Sequence, residues 1–269
     1  MGVSVPDGNE NGMTGGAGVV RFEANDGIAF ITLASPPLNI LSMAMMDELT
    51  AALQRASADR ALLAVVISAE GRAFSAGADI GEHRPEQAPG MIAAFGRLFA
   101  LLGAIELPVV MTIDGAALGA GFELAMMADI LLATDRSTFG QPEIRLGFFA
   151  PVGVTALPAR VGMQRAIEIT CTGRTYTAAE MTGMGLVARL VAPEQLGPAL
   201  DTLLADLRRA SPLIMRMNVR VLRQSLGQRF EVACPAAERI FLDELMATED
   251  VREGIASFFE KRRPAWKNR

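Results

Sequence analysis

Histidine is almost absent from this chain: His83 is the only one among 269 residues. A multi-histidine metal site is thereby excluded, and a Ser-His-Asp triad is left with a single candidate base. Lone histidines are more often structural than catalytic, so His83 is expected to be structural. Cysteine is nearly as scarce. Cys171 and Cys234 have no metal-ligand spacing and stand far apart, which points to a reducing, cytoplasmic compartment without disulfides. One tryptophan and one tyrosine, with aromatics at 6%, leave few rings to stack on sugars, which disfavours a glycosidase. Positive charge is in deficit too: 25 Lys and Arg stand against 30 Asp and Glu, a formal net charge of -5. Neither nucleic acid nor an anionic membrane is therefore the expected partner, and any bound anion must be held locally. No apolar run is long enough to span a bilayer, because Asp114, Glu123 and Asp129 interrupt the 109–133 stretch.

What is present suffices for a large core. Hydrophobic residues make up 51% of the chain, and at this length one large α/β domain is favoured over two. Residues 1–18, rich in Gly, Asn and Ser and without the basic and apolar regions of a targeting peptide, are expected to form a disordered leader. Val19–Glu23 and Ile28–Leu33 read as strands joined at the Asn25-Asp26-Gly27 turn signal. Alternation follows, with a helix over 43–57, a strand over 61–68, a helix over 91–105, a strand over 108–113, a helix over 120–129 and a strand over 130–134. Beyond Arg174 the pattern is mostly helical, with a capped helix from Thr177, a short strand at 188–191, and amphipathic helices from Leu196 until Pro264 ends the last. Residues 19–195 are expected to form the α/β core and residues 196–269 a helical region.

Two stretches put carboxylates where they are costly. Glu123 falls in the first turn of a helix that is apolar on all sides, just after Gly115, Gly119 and Gly121. A carboxylate taken out of water there must be hydrogen-bonded, paired with an Arg, or shifted upward in pKa. The glycines allow a ligand close to the free N–H groups at the helix start. Glu143, in Phe139-Gly-Gln-Pro-Glu-Ile144, is likewise surrounded by Ile144, Leu146, Phe148 and Phe149. A helix, a short strand and a turn fit between the two acids, so the second can fold back over the first. Such a pair suits acid/base chemistry when the surroundings split the two pKa values. The loop 71–80, at the end of a buried strand, is expected to converge with 114–121. Neither loop is a phosphate loop or a full dinucleotide fingerprint.

Ala73-Phe-Ser-Ala-Gly-Ala-Asp-Ile80, Gly119-Ala-Gly-Phe-Glu-Leu-Ala125 and Phe139-Gly-Gln-Pro-Glu-Ile144, with the ending Glu249-Asp-Val-Arg-Glu-Gly254 and Phe259-Glu-Lys-Arg262, resemble the enoyl-CoA hydratase/isomerase (crotonase) superfamily from about Val19 onward. The resemblance implies an α/β spiral of ββα repeats with a C-terminal helical trimerisation region, assembled as a homotrimer or a dimer of trimers. It also implies an acyl-CoA substrate, no separate cofactor and no metal, and a hydratase of fatty acid β-oxidation that adds water across the C2=C3 bond of a 2-enoyl-CoA. By the same resemblance the backbone N–H groups of Ala78 and Ala120 form the oxyanion hole. Glu123 helps activate water for attack at C3, and Glu143 delivers a proton to C2. Ala76, Asp79 and Ile80 wrap the CoA. Lys261, one of only two lysines, reaches a neighbouring subunit's CoA phosphate or, as an alternative, complements a helix C-terminus.

The chain departs from the family in places. Phe148-Phe-Ala-Pro-Val-Gly153 stands where many hydratases carry Pro-Gly-Ala-Gly-Gly, Gly81 replaces a lysine, and Ala120 replaces a glycine. Phe148 and Phe149 are expected to wall the acyl pocket, unless they face the core beneath Glu143. Hydration of a cyclic dienoyl-CoA, to which the Phe-Phe run and Pro37-Leu-Asn39 bear some similarity, stays open. So do enoyl-CoA isomerisation and a catalytically silent acyl-CoA-binding scaffold.

Overall fold

The structure is a computed structural model that describes residues 18–269; the expected leader, but for Gly18, lies outside the described residues. The first two strands, β1 (Val20–Asn25) and β2 (Ile28–Leu33), are antiparallel. Asp26 and Gly27 join them with φ of 48° and 75°, the left-handed two-residue turn whose twist matches that of a hairpin. Helix α1 (Met43–Ala58) follows, capped by the Ser42 side chain, which accepts from the N–H of Met45.

From there the chain winds in repeated turns, each giving a longer strand to one sheet, a three-residue strand to another, and helix around them. The turns are β3 (Ala64–Ala69), β4 (Ala73–Ser75) and α2 (Ala88–Ala104); β5 (Val109–Ile113), β6 (Ala116–Leu118) and α3 (Ala120–Met126); and β7 (Ile130–Thr134), β8 (Thr138–Gly140), α4 (Pro151–Val161) and α5 (Met163–Thr172). Next come β9 (Thr175–Thr177), α6 (Ala178–Gly183) and β10 (Arg189–Val191), then α7 (Leu196–Leu207), α8 (Pro212–Ser225), α9 (Phe230–Asp243) and α10 (Glu249–Phe259). The larger sheet runs β1-β2-β3-β5-β7-β10 and is parallel from β2 onward; the smaller runs β4-β6-β8-β9. A parallel sheet must be covered on both faces. One face meets α1, α2, α3 and the smaller sheet through Met46, Leu49, Phe74, Leu98 and Phe122. The other carries α7, whose Leu203 and Leu204 pack with Ile28, Val66, Val110 and Leu132.

The sequence patterns place most long elements and miss some ends. Helix α3 stops at Met126 rather than 129, because Met127 and Ala128 close it with bonds to Leu124 and Ala125, and the Asp129 carboxylate turns back to accept from the Val109 N–H at 2.8 Å. Helix α2 begins at Ala88, with Pro89 in the first turn, where its missing N–H costs nothing. Helix α10 ends at Phe259, well before Pro264. Lys261 adopts φ 52°, and the N–H groups of Lys261 and Arg262 return to Phe258 and Ser257 at 3.3 and 3.1 Å. This is a left-handed helix stop that usually takes glycine.

Candidate active site

Strand β4 delivers the chain into residues 76–80, where Leu41 donates to the carbonyl of Gly77 at 2.9 Å. Ala78 faces Leu41 in an isolated bridge, and among the described residues its own N–H meets no acceptor. Gly119 opens α3 with φ 54°, and its carbonyl accepts from Phe122 and Glu123 at 2.8 and 2.9 Å. That leaves the N–H of Ala120, at the first helical position, without a partner among the described residues. Both alanines line one cavity of about 290 Å³, so the structure brings together the two expected oxyanion donors.

Glu123 is 2% exposed. Its Oε1 accepts from the N–H groups of Val152 and Gly153, each at 2.8 Å. Helix α4 begins with Pro151, which has no N–H, after Ala150, which offers no capping side chain. The carboxylate of α3 thus caps α4 from outside, where free N–H groups and the helix dipole favour an anion. Its partners are backbone groups, and among the described residues no arginine pairs with it. Burial pushes its carboxyl up to about 7; the Gly153 bond opposes this, the Glu143 charge adds to it, and the Val152 bond opposes it again.

Glu143 lies on the short 3-10 helix Pro142–Leu146. Burial pushes its carboxyl upward, while its own backbone N–H and, when the imidazole is charged, nearby His83 hold it down. Gln141, 1% exposed, sets its amide against the carboxylate; with the amide oriented to satisfy that acceptor, its nitrogen donates to Oε1 and Oε2 at 3.2 and 3.0 Å. The acid overlies the start of α3: a Cβ on Gly119 would stand 2.8 Å from Glu143 Oε1.

The remaining wall is apolar. Met91, Ile92 and Phe95 of α2 stand on it with Phe148, Phe149 and Pro151. Phe148 is 40% exposed and Phe149 69%, so these rings line the cavity and do not face the core beneath Glu143. His83 also lines it, with Nδ1 2.8 Å from the Asp79 carbonyl and its ring 5.1 Å from that of Phe148. Ala76, Asp79 and Ile80 are not part of this lining. The Asp79 carboxylate accepts from the Gly81 N–H at 2.6 Å, and Ile80 is exposed. Lys261 is exposed just past α10 and likewise outside the cavity.

Sequence reasoning did not single out Gln141, the α2 side chains or the N–H groups that hold Glu123, and it read His83 as structural alone. Gln141 sat in plain view inside the second motif. The signal for the others was weaker, since a helix apolar on several sides does not say which side faces a ligand.

Residues 23–269 match the family described as enoyl-CoA hydratase/isomerase. The chain is 35% identical over 250 residues to cyclohexa-1,5-dienecarbonyl-CoA hydratase of Thauera aromatica, covering 93% of this chain and 96% of that one. A Rhizobium meliloti chain named "Probable enoyl-CoA hydratase" is 36% identical, with 92% and 97% covered. Among solved structures, an enoyl-CoA hydratase of Mycobacterium smegmatis superposes with a TM-score of 0.87 at 28% identity, covering 93% of this chain and 99% of that one. The likeness spans the spiral of ββα turns and both acid-bearing segments, and the chain belongs to the enoyl-CoA hydratase/isomerase family.

Proposed function

We propose that this chain hydrates a 2-enoyl-CoA thioester, with Ala78 and Ala120 as oxyanion donors and Glu123 and Glu143 as the acid/base pair. The observation that carries the reading is the meeting of two raised carboxyls and two unpartnered N–H groups in one apolar cavity. Ionised Glu123, held through Oε1 by α4, keeps Oε2 for water and takes its proton as the oxygen attacks C3. Charge moves onto the thioester oxygen, where the two N–H donors stabilise the enolate without reorganisation. Protonated Glu143 then gives its proton to C2, and proton exchange between the carboxyls or with solvent restores the start. This route calls on no further cofactor, since coenzyme A arrives as part of the substrate. Backbone around Ala76, Asp79 and Ile80 holds the CoA, and Lys261 serves a neighbouring subunit's CoA phosphate.

The acyl group is a compact one. A cavity of about 290 Å³ exceeds the roughly 150 Å³ apolar void that admits benzene, but Phe148 and Phe149 must give way to a long alkyl chain. Overpacking of that kind costs about 1–3 kcal/mol, a roughly 5- to 150-fold loss. Catalytic efficiency is therefore expected to be highest for acyl groups of about four to six carbons or a six-membered ring, and to fall at about ten or more. Phe149→Ala should flatten that profile. Equal efficiency for crotonyl- and decenoyl-CoA would show that the rings do not limit chain length. A cyclic dienoyl thioester is the second reading, favoured by the two rings and by the 35% identity to the Thauera hydratase. The same comparison, with a cyclic dienoyl-CoA added, decides between them.

The assembly proposed is a homotrimer or a dimer of trimers, with the 196–269 helical region supplying the contact surface to the 19–195 core. Leu222, Phe241, Leu242, Phe258 and Phe259 are each more than half exposed on α8, α9 and α10, a concentration of apolar side chains that favours a protein partner. Light scattering at micromolar concentration should give a multiple of three chains; a monomer would contradict it. No helix among the described residues is long and apolar enough to cross a membrane, and both cysteines are free, in keeping with the cytoplasm.

A further inference from the structure

We infer that His83 is a specificity-determining residue: its free Nε2 accepts a hydrogen bond from a hydroxyl carried by the acyl group, so the site prefers hydroxylated compact acyl thioesters over plain hydrocarbon ones. The inference rests on the hydratase reading and deepens it. Among the side chains lining the cavity, those of Glu123, Glu143 and His83 alone are polar. The two acids are consumed by the chemistry, and the imidazole is left over. A carbonyl oxygen can only accept, so the 2.8 Å contact with Asp79 places a hydrogen on Nδ1. In the neutral ring Nε2 is then an acceptor, and among the described residues it has no partner.

The ring is held in place. Phe148 packs against it at 5.1 Å, tilted by 51°. The adjoining Glu82 carboxylate accepts from the Met43 N–H at 3.1 and 2.9 Å and ties this turn to the start of α1. An acyl group seated beside a fixed acceptor either supplies a donor or strips water from it without replacement, and the second outcome is the costly one. A hydrocarbon-only substrate would be served better by Met or Leu at this position.

The test uses 2-enoyl-CoA thioesters of one length that carry hydrogen, hydroxyl or methoxy at C4, C5 or C6 in turn. The full chain should favour one hydroxyl compound over its hydrogen counterpart by about tenfold in kcat/KM. The methyl ether, which has no proton to donate, should gain nothing. His83→Leu should abolish the preference, while His83→Gln, which still offers an acceptor, should restore part of it. A purely structural role would instead move all three compounds together. The saturated thioesters of the same acyl groups, measured by calorimetry, read the preference without turnover. Selective binding with no hydration of any compound would sink the hydratase reading and keep this one. Hydration with no hydroxyl preference at any position, or equal preference for the ether, would overturn the role of His83.

Discussion

Glu123→Gln and Glu143→Gln are each expected to slow hydration by at least about 100-fold while the CoA thioester still binds, because a positioned acid or base contributes roughly 10²–10⁴. Glutamine keeps an oxygen for the N–H groups of Val152 and Gly153, so the Glu123 variant should fold. It should even be the more stable protein at alkaline pH. Burial lifts the Glu123 carboxyl from 4.5 to about 7, and a group raised in the folded state favours folding when protonated. Its contribution is complete below about 4.5 and is lost as pH rises through about 7. Above that pH the buried charge costs the folded state up to roughly 3 kcal/mol, which the neutral amide escapes. The same ionisation should appear in the rate, with hydration kcat/KM falling as pH drops through about 7, where Glu123 gains its proton. Near-normal turnover in either variant would remove that residue from the mechanism.

A single methyl group should do comparable damage from outside the cavity. Gly121→Ala would set a Cβ 2.4 Å from the Ser75 carbonyl oxygen and 2.7 Å from the Ser75 Cβ, so α3 and β4 must separate. Ala120 begins the first of these elements, and Ala78 follows the second by three residues. Moving them apart pulls the two oxyanion donors out of register together and displaces Glu123 as well. A misplacement of about 1 Å costs on the order of 100-fold in rate, and overpacking costs about 1–3 kcal/mol in stability. Gly183→Ala provides the control, since a Cβ there meets nothing within 4 Å. Crotonyl-CoA turnover and urea midpoints of the two variants should therefore diverge. An unchanged kcat in Gly121→Ala would mean that the approach of α3 to β4 does not set the donors.

Both acids could be read from sequence because a carboxylate within an apolar segment has few bland explanations, and the hairpin because Asp26-Gly27 demands a left-handed turn. Strands β2, β3, β5 and β7 of the larger sheet carry largely apolar runs and were equally visible. The smaller sheet was hidden for a physical reason: β4, β6, β8 and β9 have three residues each, too few to display a period of two. What holds Glu123 was hidden more deeply, since its partners are backbone N–H groups at the start of α4. Letters such as Val152 and Gly153 do not announce a donor. Gln141 has neither charge nor periodicity to mark it, and its value lies in facing Glu143 across a proline. His83 gave no spacing signal because there is no second histidine to space it against.

The most direct measurement mixes the purified chain with crotonyl-CoA in ¹⁸O-labelled water and follows both the enoyl-thioester absorbance and the mass of the product. Loss of absorbance with one labelled oxygen at C3, reduced by at least about 100-fold in Glu123→Gln and Glu143→Gln, is the predicted result. Retained absorbance, together with conversion of a 3-enoyl-CoA to its conjugated isomer without label, would contradict it.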